Sequence, residues 1–364
     1  MGRVVTRVDV AQHAGVSTAV VSYVLNGGPR PVASDTRRRV EAAIDELGYR
    51  PNAIARALRS RRSRALGLVV SDISNPFMGE LARSIEVAAF EHGLSVLLGN
   101  TMVDEERQRR HLRHLVDRQV DGLLVVPVAP IDAGTIAELN DGRVPVVVLD
   151  RPVPPTPGSR HLRATTILAD NAAGGEMAAA HLIEHGHRRV ACLAGPPRMP
   201  PSTERLRGFE RAVAAAGLDP AGCPVVRSSV NRGDGYRAAR SLLRSGRPPT
   251  AVFAISDEQA IGVLRAAFES GLRVPDDLAV AGFDGIGEGA YCTPGLTTVR
   301  QPILDMAHRA VALLVRQIPS PPRRGSTETM PVALVARGSC GCPEVPANAG
   351  AQPGAVTVGG RRTP

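Results

Sequence analysis

The sequence predicts an α/β protein in two parts. A small N-terminal unit of three helices, helix–turn–helix in form, precedes two lobes of parallel sheet covered by helices on both faces. Three observations predict it. From residue 65 to about 340, short apolar runs alternate with amphipathic stretches of helix length, the pattern of parallel strands joined by crossover helices. That alternation restarts near residue 166, which implies two similar lobes. The first fifty residues carry helical periodicity instead. At 364 residues the chain is long for a single core.

In residues 1–50, Val8–Ala14 and Thr18–Asn26 read as helices joined by Gly15-Val16-Ser17. Gly15 supplies the left-handed conformation that a sharp helix-to-helix corner needs, and Ser17 can cap the second helix. Val8, Ala11 and Val16 are expected to face one way. Val21, Val24 and Leu25 on the second helix and Val40, Ile44 and Leu47 on a third complete a small core. Residues 51–64 form an arginine-rich connector.

Strands are expected at Ala65–Val70, Ser95–Leu98, Gly122–Val126 and Val146–Asp150. After the restart they are expected at Thr166–Ala169, Arg189–Ala194, Val225–Ser228, Ala251–Ile255 and Leu278–Gly282. Helices fit Met78–His92, with Leu81, Ile85 and Ala89 on one face, and Gly174–His185, Glu204–Ala216, Gly233–Ser245 and Gln259–Ser270. Residues 341–364, rich in Gly, Pro and small side chains, read as a disordered tail.

Charge is unevenly placed. Of the net +9, +7 falls in residues 1–64, where twelve arginines face five acids, so the basicity belongs to one end. Every basic side chain is arginine, whose planar fork suits phosphates and guanine edges. Five scattered cysteines argue against a secreted disulfide framework, and Cys340-Gly341-Cys342 lacks a second pair for zinc. His111 and His114 share a helical face without a further ligand, so no metal and no cofactor is expected. With no apolar leader and no span of membrane length, the expected location is cytoplasmic, with no membrane partner.

The outward residues at the start of the second helix, Thr18, Ala19, Ser22 and Tyr23, are placed to reach base edges in a major groove. Here the sequence resembles the lactose-repressor (LacI/GalR) family. The resemblance rests on Val8-Asp9-Val10-Ala11-Gln12-His13-Ala14-Gly15-Val16-Ser17, on Val21-Ser22-Tyr23-Val24-Leu25-Asn26-Gly27, on residues 36–44 and on Leu47-Gly48-Tyr49-Arg50-Pro51-Asn52, and it extends to about residue 340. It implies that 1–50 is a DNA-binding headpiece, 51–64 a hinge helix, and 65–340 a bilobed effector-binding and dimerisation domain of the periplasmic-binding-protein-like fold. It also implies that Asn26 belongs to the DNA-reading face. Asn52, Ala55 and Leu58 would sit in the minor groove, with Leu58 wedged between base pairs. Arg56, Arg59, Arg61 and Arg62 would steer towards phosphates. Tyr23 stands where the family often has an arginine that reads a guanine; tyrosine cannot make that bidentate contact, so the resemblance does not carry the guanine over.

The sensing residues are expected at the carboxyl ends of strands. Asp150-Arg151 ends the fourth strand and can grip hydroxyls or an acidic group by charge-assisted bonds. By resemblance, Phe77 in Asn75-Pro76-Phe77 belongs to the first ligand-facing loop, or else to the core. Arg205, Ser256 and Asp284 match ligand-facing positions, and Asp257 orients either the ligand or its neighbours. Asp170-Asn171 is expected to be structural. Val230 replaces an aromatic that many sugar-binding relatives stack on a pyranose. The expected function is a ligand-responsive, sequence-specific DNA-binding regulator, a repressor acting as a homodimer on a pseudo-palindromic operator. Its small-molecule effector, a carbohydrate being one candidate, lies between the lobes.

Two other classes compete. A solute-binding protein of a transport system shares the lobes but predicts a leader peptide and no basic headpiece. An enzyme could use Asp150 and Asp284 as paired carboxylates, yet no nucleophile–base set is visible and Gly282–Gly289 is no phosphate loop.

Overall fold

The structure, a computed structural model, describes residues 5–26, 31–50, 62–129, 131, 133–141, 144–152, 163–322 and 324–343. The chain divides into two compact units, Met1–Arg64 and Ala65–Pro364.

The first unit holds α1 (Arg7–Ala14), α2 (Thr18–Asn26) and α3 (Ser34–Leu47). Thr6 and Asp9 close a capping box at the start of α1: the Thr6 amide donates to Asp9 Oδ2 at 2.7 Å and the Asp9 amide to Thr6 Oγ1 at 3.5 Å. Gly15 ends α1 at φ 65°, turning the chain into α2. Val10, Ala11, Ala14, Val21, Val40 and Ala43 form the core, with Val24, Leu25, Ile44 and Leu47 packed around it. Val8, expected inside, is 53% exposed. Val10, Ala11 and Ala14 form the face of α1 that packs on the core, and Val8 falls outside it.

The second unit begins with β1 (Ala65–Val70), α4 (Pro76–Glu91), β2 (Ser95–Asn100), α5 (Glu105–Asp117), β3 (Gly122–Val125), α6 (Ala133–Asp141), β4 (Val146–Leu149) and β5 (Ala164–Ala169). It continues with α7 (Asn171–Glu184), β6 (Val190–Ala194), α8 (Pro200–Ala215), β7 (Val225–Arg227), α9 (Arg232–Leu243), β8 (Ala251–Ala254), α10 (Asp257–Glu269), β9 (Ala279–Asp284) and β10 (Thr297–Arg300). It ends with α11 (Ile303–Gln317), β11 (Ser326–Met330) and β12 (Ala333–Val335).

Two six-stranded sheets result, ordered β11-β5-β4-β3-β1-β2 and β12-β10-β9-β8-β6-β7. The first is parallel throughout; in the second, β12 runs antiparallel to β10. Central strands such as β3, β4 and β8 are buried along their whole length, as strands covered by helices on both faces must be.

The lobes are interleaved rather than consecutive. The chain passes from lobe 1 to lobe 2 after β5, returns after β10 so that α11 packs in the lobe 1 core, and crosses again between β11 and β12. The three crossovers lie at residues 169–171, 300–303 and 330–333. Two are joined directly, because the Asp170 amide donates to the Met330 carbonyl at 2.9 Å.

Helices of lobe 2 meet backbone to backbone. A Cβ on Gly175 would lie 2.1 Å from the Arg205 carbonyl, and one on Gly208 would lie 2.1 Å from the Ala172 carbonyl. The two glycines let α7 and α8 cross at a distance no side chain permits, which fixes the backbone that carries Arg205. Gly235 and Gly262 do the same for α9 and α10.

Candidate functional site

In the first unit, Thr18 and Ala19 are exposed on the first turn of α2, and Ser22 and Tyr23 lie half-buried one turn on. The i, i+4 spacing of Thr18 and Ser22 puts these two on one face, and Asn26 is the last residue of α2. The Val20 amide lies 3.4 Å from Ser17 Oγ, a weak version of the expected cap. Asn52, Ala55 and Leu58 lie outside the described residues, as do Arg56, Arg59, Arg61 and residues 344–364; Arg62 is described and exposed.

In the second unit, a cavity of about 440 Å³ opens between the lobes. Lobe 1 lines it with Ser71, Asp72, Ser74, Asn75, Phe77, Met78, Val103, Asp150 and Arg151; lobe 2 contributes Pro196, Met199, Pro201, Arg205, Ser229, Val230, Asn231, Glu258 and Asp284. The size and the mixture of apolar wall and convergent polar groups are those of a small-molecule site.

Asp150 and Asp284 face this space from equivalent places. Counted from their outer edges, the sheets run β2-β1-β3-β4 and β7-β6-β8-β9, so the ends of β4 and β9 correspond. Both aspartates are 5% exposed, and both hold positive φ, 65° at Asp150 and 118° at Asp284. Such backbone is costly for a non-glycine residue and concentrates at functional sites. Arg151 Nε lies 3.6 Å from Asp150 Oδ2 and is buried with no hydrogen-bond partner among the described residues. A buried donor in that condition favours a ligand acceptor.

Arg205 is held on three sides. Its Nε donates to Asn171 Oδ1 at 2.8 Å, and Nη1 donates to the Ile255 carbonyl at 2.6 Å and to Asp284 Oδ1 at 2.9 Å. The guanidinium lies 3.7 Å over the Phe283 ring. Asp284 Oδ1 also accepts from Gln301 Nε2 at 2.8 Å. Asn171 belongs to the first crossover and Gln301 to the second, so the floor of the cavity is bonded to two of the three connections between the lobes. Burial raises the Asp284 carboxyl to about 6 against the opposing pull of Arg205 and Gln301.

Of the residues expected to sense a ligand, Phe77, Asp150, Arg151, Arg205, Val230 and Asp284 line the cavity. Phe77 is also part of the lobe 1 core. Ser256 and Asp257 do not line it; both are fully buried. Ser256 caps α10 by accepting from the Gln259 amide at 3.2 Å. Asp257 Oδ2 accepts from the Gly285 and Ile286 amides, each at 2.8 Å, and Oδ1 accepts from Thr298 Oγ1 at 2.6 Å. It therefore shapes the turn that carries Asp284 without reaching the cavity. Burial and the neighbouring Asp284 push its carboxyl up to about 8.

Glu258, Asn231, Asp72 and Asn75 also line the cavity. Asn75 and Asn231 cap α4 and α9, so cap residues at strand-to-helix turns were the available signal. Glu258 pairs with Arg232 at 2.6 Å. Asp170 caps α7 as expected, and its neighbour Asn171 orients Arg205.

Residues 7–52 match the profile of bacterial regulatory proteins, lacI family, and residues 179–340 match that of a periplasmic binding protein-like domain. Over 336 residues the chain is 37% identical to the ribose operon repressor of Escherichia coli (strain K12), an alignment covering 92% of this chain and 99% of the relative. The chain belongs to the lacI family. Among solved structures, the lac repressor dimer bound to operator and the anti-inducer ONPF superposes with a TM-score of 0.80 at 28% identity, covering 93% of this chain and 99% of that one. A lacI-family regulator from Enterococcus faecium with bound ribose superposes at 0.68 and 29% identity, covering 76% of this chain and 98% of the other. This lacI-family member is a DNA-binding transcriptional regulator with an effector-binding domain, and not an enzyme. The match from headpiece to lobes sets aside the transport reading. No helix among the described residues is long and apolar enough to cross a membrane.

Proposed function

We propose that this regulator is a cytoplasmic repressor that binds a pseudo-palindromic operator as a homodimer, and that a neutral polyhydroxy compound of pentose size in the interlobe cavity controls its hold on DNA. The cavity carries the effector part of this reading. Asp72, Asp150, Glu258 and Asp284 outnumber Arg151 and Arg205 on its wall, a balance that repels anions and accepts hydroxyl hydrogens. Val230 in place of an aromatic removes the platform on which a hexopyranose would stack and leaves the cavity wider there, so the hydroxyl-binding carboxylates and not ring stacking carry the recognition. The ribose-bound Enterococcus faecium relative agrees in ligand class. Because Arg205 and Asp284 are bonded to Asn171 and Gln301, a ligand on that pair acts on two crossovers at once and changes the angle between lobes.

Homodimer formation is supported by the exposed apolar side chains Val87, Phe90, Leu97 and Leu98, which lie on α4 and the edge strand β2. Apolar side chains gathered on neighbouring elements mark an interaction surface. On the DNA side, Thr18, Ala19, Ser22, Tyr23 and Asn26 read base edges, while Asn52, Ala55 and Leu58 enter the minor groove. Residues 1–50, 51–64 and 65–340 act as headpiece, hinge and sensor.

The test has two arms. Duplexes selected by the full chain from a randomised pool should show two inverted half-sites, because operator symmetry mirrors protein symmetry. Operator binding should then change about 5–150-fold with ribose or another pentose or polyol, the range of a coupling of about 1–3 kcal/mol. Selection of asymmetric sites would overturn the dimer reading, and response only to anionic ligands would overturn the effector class.

A further inference from the structure

Two histidines and two cysteines converge on lobe 2, and none of the four lines the effector cavity. His181 lies in the last turn of α7 and His185 is the C-cap residue one turn on; Cys340 and Cys342 flank Gly341 in the segment after β12. The sequence offers the cysteine pair no second pair, but the fold brings it two histidines across contacts that span 157, 159 and 161 residues. The four ligand atoms lie within 4.8 Å of one another. His181 Nε2 is 3.1 Å from Cys340 Sγ and 3.7 Å from Cys342 Sγ, and His185 Nε2 is 3.5 Å from Cys342 Sγ. Zinc bonds of about 2.3 Å to sulfur and about 2.0 Å to nitrogen, at a tetrahedral angle, separate N from S by roughly 3.5 Å. The three nitrogen–sulfur separations are close to the edges of such a tetrahedron.

The segment is built to hold the arrangement. Gly341, at φ 96°, reverses the chain between the two cysteines so that both thiols reach the histidines. The buried Ser339 anchors it, donating to the Val280 carbonyl at 2.6 Å and accepting from the Thr297 amide at 2.8 Å. Thr297 Oγ1 lies 3.0 Å from Cys340 Sγ. His185 is exposed and Cys342 half-buried, which leaves an entry path.

We propose that His181, His185, Cys340 and Cys342 form a tetrahedral Cys₂His₂ site for one zinc(II) ion, which staples the C-terminal segment to α7. The histidine spacing is the H-x₃-H of structural zinc sites; C-x-C is tighter than their usual cysteine spacing. Binding forms two Zn–S and two Zn–N bonds, and the protons still carried by the thiols leave to solvent. His181 is ten residues beyond Asn171, about 15 Å along the helix, so the ion stabilises lobe 2 at a distance from the effector.

The test uses the full chain without an affinity tag, purified under reducing conditions, loaded with zinc(II) and dialysed. About one zinc per chain should remain, and cobalt(II) in its place should give the thiolate charge-transfer and intense d–d bands of a tetrahedral site. Cys342→Ser and His185→Gln, at partly exposed positions, should fold with unchanged far-UV circular dichroism. Each should lower zinc affinity by about 100-fold or more, since even outer-sphere partners of ligands are worth 10–100-fold. Zinc should raise the melting temperature of the wild type and leave both variants unmoved. Loss of zinc from the wild type on dialysis, equal retention by the variants, or an octahedral cobalt spectrum would each overturn the proposal. So would a Cys340–Cys342 disulfide that persists under the reducing conditions.

Discussion

Arg205 and Asp284 meet at 2.9 Å in a place where each is about 95% shielded from solvent, and the pair joins Asn171 in one crossover to Gln301 in another. Such a pair is strongly coupled to stability: removing one partner leaves the other charge buried and alone, which costs about 3–5 kcal/mol. Arg205→Ala should therefore lower unfolding stability by that amount in urea titrations, as well as abolish the effector response. Unchanged stability would mean that Arg205 serves the ligand alone. A cleaner probe of the ligand is Asp150→Asn, whose partner Arg151 is only 3.6 Å away and already lacks a hydrogen bond at Nε. It should weaken effector binding by about tenfold, the loss of a charge-assisted bond, with a smaller loss of stability than Arg205→Ala, because Asp150 makes no hydrogen bond to Arg151 Nε that the substitution would break.

Gly175 offers a second route to the same arginine. Any Cβ there meets the Arg205 carbonyl at 2.1 Å, a backbone atom that cannot rotate away. Gly175→Ala should push α7 and α8 apart, costing about 1–3 kcal/mol by overpacking, and should displace the Arg205 side chain from Asp284. Calorimetric titration with the effector should show reduced affinity together with the lowered melting point. Lost stability with full affinity would separate the helix crossing from the site.

Much of this was legible in the sequence. Continuous apolar runs such as Val146–Leu149 read as buried strands, and the strand ends they define led to Asp150 and Asp284. The interleaving of the lobes was not legible. β11 (Ser326–Met330) is polar and β12 (Ala333–Val335) is only three residues long, both lie at sheet edges, and no local pattern says which sheet accepts them. Ser256 and Asp257 sit at a strand end as ligand-facing residues do, but the helix cap at Ser256 and the amides of Gly285 and Ile286 use their oxygens. The partners of Cys340 and Cys342 were hidden because α7 is remote in sequence.

Asp257 gives a pH signature. Its carboxyl titrates near 8 in the folded chain against about 3.8 unfolded, so between those values the folded state binds more protons than the unfolded. Stability attributable to Asp257 is thus fully present below about pH 4 and declines as pH rises to about 8. Asp257→Asn can still accept both amides and donate to Thr298, so it should fold. The difference in unfolding free energy, variant minus wild type, should grow by on the order of a few kcal/mol from pH 4 to pH 8. A flat difference would show that the two amides and Thr298 hold the carboxylate ionised throughout. Asp284, raised to about 6, contributes in the same direction at lower pH and is common to both proteins.

The headpiece makes a sharper comparison, because two valines two residues apart on α1 should behave oppositely. Val10 is fully buried and Val8 is 53% exposed. The core they flank has six buried side chains, all small, so it has little stability to spare. Val10→Ala removes two methyl groups and leaves a void, a loss of about 2 kcal/mol, which is enough to unfold a substantial fraction of the headpiece. Val8→Ala should change stability by less than about 0.5 kcal/mol, as surface substitutions do. In the full chain, limited proteolysis should cut Val10→Ala within residues 1–64 and leave the lobes intact, with operator affinity lost and effector affinity retained. Sensitivity at Val8 instead of Val10 would mean that α1 packs on the face the apolar pattern first suggested and not on the face of Val10, Ala11 and Ala14.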